Sequence, residues 1–216
     1  MTGRLVVIRE GHGELGSIEN LVARVGLDLG VIPQVLASLP KSPRVVITDE
    51  ESAVRAGQIA AKLSPDAALL TADLDDDCPH DFAPRVAARL RAEKFGFPVA
   101  MVFFHREFET MALSIAPALG GREIRSRAGQ RIGVLLHPAA VPADPESVRD
   151  AKGWVGRNLM SGRSYKPTTH QYPLTVAMPL PELRAAGLSS FRRLEHAMQF
   201  LGEQVSAGTA EVYPPA

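Results

Sequence analysis

Carboxylates gather at three places in the 216-residue chain: Glu10 and Glu14, then Asp73, Asp75 and Asp77, then Glu107 and Glu109. Each set follows a short apolar run, where the carboxyl end of a strand is expected. Hard oxygen donors with few histidines beside them suit Mg²⁺ or Mn²⁺ rather than Zn²⁺. Asp73 and Asp75 are alternate residues of a chain leaving a strand, so they emerge on one side and can share one ion. Like charges placed together repel by roughly a kcal/mol or more per close pair at surface dielectric, so three sets at one edge need cations. Each set also fits a plain role. Glu14 suits a first helical turn, residues 75–77 a hydrated turn capping the next helix, and Glu107 and Glu109 an exposed helix start.

The elements that must position these acids are legible as apolar runs. Residues 4–9 (RLVVIR), 44–48 (RVVIT), 67–72 (AALLTA) and 98–104 (PVAMVFF) read as four buried strands. Leu15, Ile18, Leu21, Val22 and Val25 recur at helical spacing after the first strand. Thr48 with Glu51 forms a capping-box pattern for a helix over residues 49–63. Further helices are expected over residues 79–94, 107–115, 150–161 and 190–205. Strands alternating with helices imply an α/β fold with a mostly parallel sheet flanked by helices on both faces. In such sheets ligands bind beyond the carboxyl ends of the strands, where the acids lie.

Formal net charge is zero, from 24 Lys and Arg against 24 Asp and Glu, which taken whole argues against electrostatic capture of nucleic acid. The charge is unevenly spread. Residues 1–121 hold 12 basic and 16 acidic side chains, and residues 122–193 hold 12 basic and 5 acidic. Acids beside a basic stretch are what a metal-assisted phosphodiester site requires. Lys152, Arg157, Arg163 and Lys166 are candidate phosphate contacts, with Lys152 also a catalytic candidate, and Gln171 is counted with them. They serve solubility equally well. The composition shift near residue 120 divides a core, residues 1–121, from a basic, partly helical extension, residues 122–216, that packs on it. One cysteine, Cys78, excludes a disulfide framework and suits a reducing, cytoplasmic compartment. No apolar run spans a bilayer, and the first residues do not read as a signal peptide.

Gly11-His12-Gly13-Glu14-Leu15-Gly16 spells the dinucleotide-binding fingerprint. Glu14 would put a carboxylate in the turn meant for the pyrophosphate, and the ribose-binding acid expected about 20 residues past the glycines is not in place, because the second strand ends near Thr48–Asp49 and Asp28 lies in no strand. NAD(P) is therefore not expected. No Gly-Lys-Ser/Thr occurs, which removes a Walker-type phosphate loop.

The blocks Glu10-Gly-His-Gly-Glu14, Asp73-Leu-Asp75-Asp-Asp77-Cys78-Pro79 and Arg106-Glu107-Phe108-Glu109 together resemble the DUF4276 family of bacterial and archaeal proteins. The likeness continues through Ala151-Lys152-Gly-Trp154, Tyr165, Gln171 and Ser190-Phe191-Arg192, over nearly the whole chain. Met111, His170 and Tyr172 depart from that pattern. The resemblance implies a Toprim-like (Rossmann-like) domain, similar to those of topoisomerases, primases and OLD-type nucleases. It implies Glu10 as general acid/base or metal ligand, Asp73 and Asp75 as Mg²⁺ ligands, and Glu14 as the further acid of OLD-type sites. The implied activity is metal-dependent phosphodiester cleavage of DNA or RNA, alone or with a partner ATPase in defence or repair. A non-catalytic partner of an ATPase and a small-molecule phosphohydrolase are the alternatives.

Overall fold

The computed structural model describes residues 3–11, 15–38, 43–74, 78–125 and 133–215. Glu14, Asp75 and Asp77 lie outside the described residues.

A parallel sheet of order β2-β1-β3-β4-β7 forms the centre, built from β1 (Gly3–Ile8), β2 (Leu36–Ser38), β3 (Ala67–Leu74), β4 (Val99–His105) and β7 (Val212–Tyr213). Both faces are covered, so the central strands are continuously apolar. Leu5, Val7, Leu69, Val102 and Phe104 face one layer, and Val6, Ile8, Leu70, Met101 and Phe103 the other. Each such Leu, Ile or Phe removed from water contributes roughly 1.5–3 kcal/mol. The first layer holds α1 (Ser17–Asp28) and α9 (Ser189–Ala207). The second holds α2 (Glu50–Ala61) and α3 (Pro79–Ala92). This is a doubly wound, Rossmann-like α/β architecture.

β1 leads to β2 on one side and pairs with β3 on the other, which makes the gap beyond the ends of β1 and β3 the topological switch point. The buried Thr71 hydroxyl donates to the Ile8 carbonyl at 3.1 Å and clamps the two strands just below that gap.

Three local readings are corrected. The second strand is Leu36–Ser38, not residues 44–48, which touch β1 only through a bridge between Arg9 and Arg44. Pro43 has no N–H to donate, although its carbonyl accepts from Arg9 N at 3.1 Å. The residue at the end of the second strand is thus Ser38, not an acid. The capping box of α2 is Asp49 with Ser52, not Thr48 with Glu51. The Asp49 carboxylate accepts from Ser52 N at 2.7 Å, and Ser52 Oγ accepts from Asp49 N at 3.0 Å. Helix α1 likewise begins two residues after Leu15, which is left 48% exposed. Gly16, with φ of 82°, makes the left-handed entry into it.

The helix expected over residues 107–115 is two short pieces, α4 (Thr110–Ser114) and α5 (Ala116–Leu119). Pro117 lies in the first turn of the second, where its missing N–H is tolerated. A small antiparallel ribbon follows, β5 (Glu123–Ile124) with β6 (Val134–Leu135). Then come α6 (Ala151–Trp154), prolonged by a π-helical turn Val155–Leu159, α7 (Pro167–Ala177) and α8 (Leu180–Ala186). The residues after 121 carry no separate core: Ile124, Leu136, Val155, Leu174 and Leu194 join the layer that covers β1, β3 and β4.

Candidate functional site: an acidic cluster around Lys152

Glu10 leaves β1 directly after Arg9, which is 7% exposed and whose guanidinium donates to the Gly11 carbonyl. That contact folds the chain back over the strand end. One Glu10 carboxylate oxygen accepts from the backbone N–H of Asp73 at 3.0 Å. The first and third strands therefore join through a candidate site residue at the switch point. Asp73 in turn accepts from Phe108 N at 2.9 Å through Oδ1, which fastens the loop after β4 to β3.

That loop is shaped by Arg106, a non-glycine residue with φ of 66°. The left-handed conformation costs of order 1–3 kcal/mol for a residue with a Cβ. It reverses the chain so that Glu107 and Glu109 turn inward. Phe108, 1% exposed, anchors the turn by an edge-to-face contact with Phe104 at 5.2 Å between ring centres.

Glu107, Glu109 and Asp73 converge on one ammonium group, that of Lys152 at the start of α6. Lys152 Nζ donates to Glu107 Oε1 at 2.5 Å and stands 3.8 Å from Glu109 Oε2 and 3.9 Å from Asp73 Oδ2. Glu107 also accepts from the backbone N–H of Lys152 at 3.1 Å, so its carboxylate serves the open start of the helix as well. Asp150 caps the same helix by accepting from Gly153 N at 2.8 Å.

Glu109 has no exposed surface. Its Oε1 accepts from the Tyr165 hydroxyl at 2.9 Å, while Oε2 has no hydrogen-bond partner among the described residues. Burial drives its pKa up to about 7, against the opposing pull of Lys152 and the Tyr165 hydrogen bond. Burial lowers the Lys152 pKa, but Glu109, Glu107 and Asp73 together outweigh it and hold the group above an ordinary lysine. Tyr165 is pushed well up by burial and by the neighbouring Glu109. Gly156 permits this meeting: a Cβ there would stand 2.7 Å from the carbonyl of Arg163, in the segment that delivers Tyr165.

Of the residues singled out from sequence, the structure brings together Glu10, Asp73, Glu107, Glu109 and Lys152. It does not bring the other basic candidates to them as a cluster. Arg157 is exposed and pairs with Asp150 at 3.1 Å, and Arg163 and Lys166 are exposed. Gln171, counted with the phosphate contacts, is 3% exposed on α7, away from that exposed basic set. Tyr165 stands apart from any spacing pattern, 56 residues from Glu109, and only its place in the family blocks marks it.

Among the described residues, no three His, Cys, Asp or Glu side chains are grouped to hold a metal ion. The donor chemistry still fits Mg²⁺ or Mn²⁺. The oxygens are hard and anionic, one of them is buried without a hydrogen-bond donor among the described residues, and three carboxylates surround the Lys152 ammonium, with Glu10 against the Asp73 N–H. Glu10 and Asp73 are the described residues that would hold such an ion.

No protein-family model matches the chain, and neither a curated protein nor a solved structure matches it. Fold and site together define a Rossmann-like α/β protein with a lysine-centred acidic cluster at its switch point. Among the described residues, no helix is long and apolar enough to cross a membrane.

Proposed function

We propose that this is a Toprim-like, Mg²⁺- or Mn²⁺-dependent enzyme that cleaves phosphodiester bonds of DNA or RNA. The observation that carries the reading is the gathering of carboxylates at the switch point, where Glu10 meets the Asp73 N–H and where Asp73, Glu107 and Glu109 surround the Lys152 ammonium. A phosphodiester is itself anionic. Each carboxylate about 4 Å away would repel it by about 1–4 kcal/mol across the range from water to a protein surface. A divalent ion would offset that repulsion and make a bound water more acidic.

The chain's own residues divide the remaining work. Glu10, held against the Asp73 N–H, is placed to take a proton from an attacking water. Asp73 is the described ion ligand, and Asp75 and Asp77, two and four residues further on, are the candidates beside it. Lys152 offers an ammonium to a phosphate oxygen or to the leaving oxygen. Arg157, Arg163 and Lys166 give the 157–166 surface positive charge along which a polymer backbone can lie.

A second reading has its own observation. Three of the carboxylates are already engaged with Lys152, as they would be in a Toprim-like scaffold that serves an ATPase without catalysing.

The test is cleavage of plasmid and single-stranded DNA and RNA with Mg²⁺ or Mn²⁺. The wild type is expected to cut, and Glu10→Gln and Asp73→Asn to lose about 100-fold or more in rate. No cleavage by the wild type with either ion, alone or with a partner ATPase, would overturn the catalytic reading.

A further inference from the structure

Lys152 holds the acidic cluster together at distances that suit an ammonium, 2.5 Å to Glu107 and 3.8–3.9 Å to Glu109 and Asp73. Oxygens bound to Mg²⁺ stand at about 2.0–2.1 Å, and those of Glu109 and Asp73 stand nearly twice as far from the point that the ammonium occupies.

Two further features bear on what that lysine does. Glu109 Oε2 lies in a fully buried side chain, without a hydrogen-bond donor among the described residues, and its nearest cation is 3.8 Å away. Such an oxygen is costly to leave unsatisfied, and a cation closer than 3.8 Å would satisfy it. In addition, Glu107 is fixed twice, once by the ammonium and once by the Lys152 backbone N–H at 3.1 Å. The ammonium can therefore leave while the carboxylate stays in place. The Lys152 side chain remains 36% exposed, and its unbranched stem gives it a path outward.

We propose that the Lys152 ammonium and a divalent cation are alternative occupants of one site: Lys152 draws Asp73, Glu107 and Glu109 together in the ion-free protein, and ion binding releases it to meet substrate phosphate. The inference rests on the divalent-ion reading above and specifies how the site receives the ion. A divalent ion brings two positive charges to these carboxylates where the ammonium brings one. A lysine surrounded by carboxylates is a poor phosphate ligand, because the anion would meet the acids as well. Released from them, it is a good one. The same exchange accounts for the lack of a ready ion-binding group among the described residues in a cluster so rich in oxygen donors.

Mn²⁺ binding by titration calorimetry to the full chain, wild type and Lys152→Met, tests the exchange, with Asp73→Asn as the control for the site. Removal of the competing ammonium is expected to tighten Mn²⁺ binding about tenfold or more, and Asp73→Asn to abolish it. Mn²⁺ should also raise the melting temperature of Lys152→Met more than that of the wild type. Equal or weaker binding by Lys152→Met overturns the exchange. If the wild type binds and Asp73→Asn does not, that result leaves the divalent-ion reading standing. If neither wild type nor Lys152→Met binds Mn²⁺, both fall. Should Lys152→Met not fold, the Lys152 ammonium resonance of the wild type decides by NMR. It is expected to move toward that of a solvated lysine as Mg²⁺ saturates the protein, and a resonance that stays in place overturns the proposal.

Discussion

The α2–α3 surface and the carboxyl edge of the sheet are both held by carboxylates set against a cation, in opposite surroundings. On the surface, Arg89 pairs with Glu51 at 2.8 Å and Glu93 at 2.5 Å, and Arg85 with Glu50 at 2.7 Å. Those side chains are 26–64% exposed, and the attraction raises the Arg89 pKa further above its already high ordinary value. At the sheet edge, Lys152 meets Glu107 at the same 2.5 Å, but Glu107 is 14% exposed and Glu109 1%. Separations are alike, so burial makes the difference. Water screens the surface pairs and replaces either partner when it is lost. At the sheet edge Glu109 has almost no contact with water, so that carboxylate stays desolvated when Lys152 is lost. Hydrogen bonding is the largest influence on the pKa of Arg89 and burial the largest at Glu109, Lys152 and Tyr165, and buried, perturbed groups of this kind are the ones that chemistry uses.

The sharpest way to break this contrast is Lys152→Met. It is expected to cost about 3 kcal/mol of unfolding free energy in urea, the low end for a broken buried pair because a third of Lys152 is exposed. A loss no larger than that of a surface pair would erase the distinction.

Stability should next respond to pH through Glu109. Its folded pKa of about 7 lies above the ordinary 4.5, so the folded state holds the proton more firmly. Its contribution is complete below the ordinary value and is lost as pH rises through about 7. Linkage makes this about 2–3 kcal/mol between about pH 5 and pH 7.5. Urea unfolding of Glu109→Gln over that window should lack this slope, and an unchanged slope would place the titration elsewhere.

Tyr165→Phe removes one hydrogen bond to a buried carboxylate, for an expected loss of about 1.5 kcal/mol. Its hydroxyl, with Lys152 and a backbone N–H, holds the Glu109 pKa down, so the variant should move the pH-dependent window upward. A pH profile identical to that of the wild type would refute that role. Arg89→Ala, at the other pole of the comparison, is expected to leave the unfolding midpoint unchanged at moderate salt.

Much of the framework was legible in local pattern. Continuous apolar runs marked β1, β3 and β4, because strands covered on both faces need no polar alternation. The long α9 was legible from Phe191, Leu194, Met198 and Leu201 on one face. Misplaced elements were those held by little of their own. Strand β2 is only three residues long and is defined by its pairing with β1, whereas residues 44–48 have the stronger strand composition and only a bridge. Helix α7, with Pro173 inside it, has no clean apolar stripe. Strand β7 is two residues paired to the edge of β4.

From sequence alone the acids could be assigned to strand ends, since strand and turn are local properties and charge is read directly. Glu10 and Asp73 follow from that rule and the strand order. What only the tertiary structure decided is which cation the acids would meet. Lys152 is 45 residues from Glu107 and stood level with Arg157, Arg163 and Lys166 as one basic residue among several. It was selected by the packing of α6 against the loop after β4, by the close approach allowed at Gly156, and by the burial of Glu109. Local sequence sets which charges exist and roughly where they leave the sheet. The energy of a charge depends on the dielectric and partners around it, and those come from distant segments brought together only when the core closes.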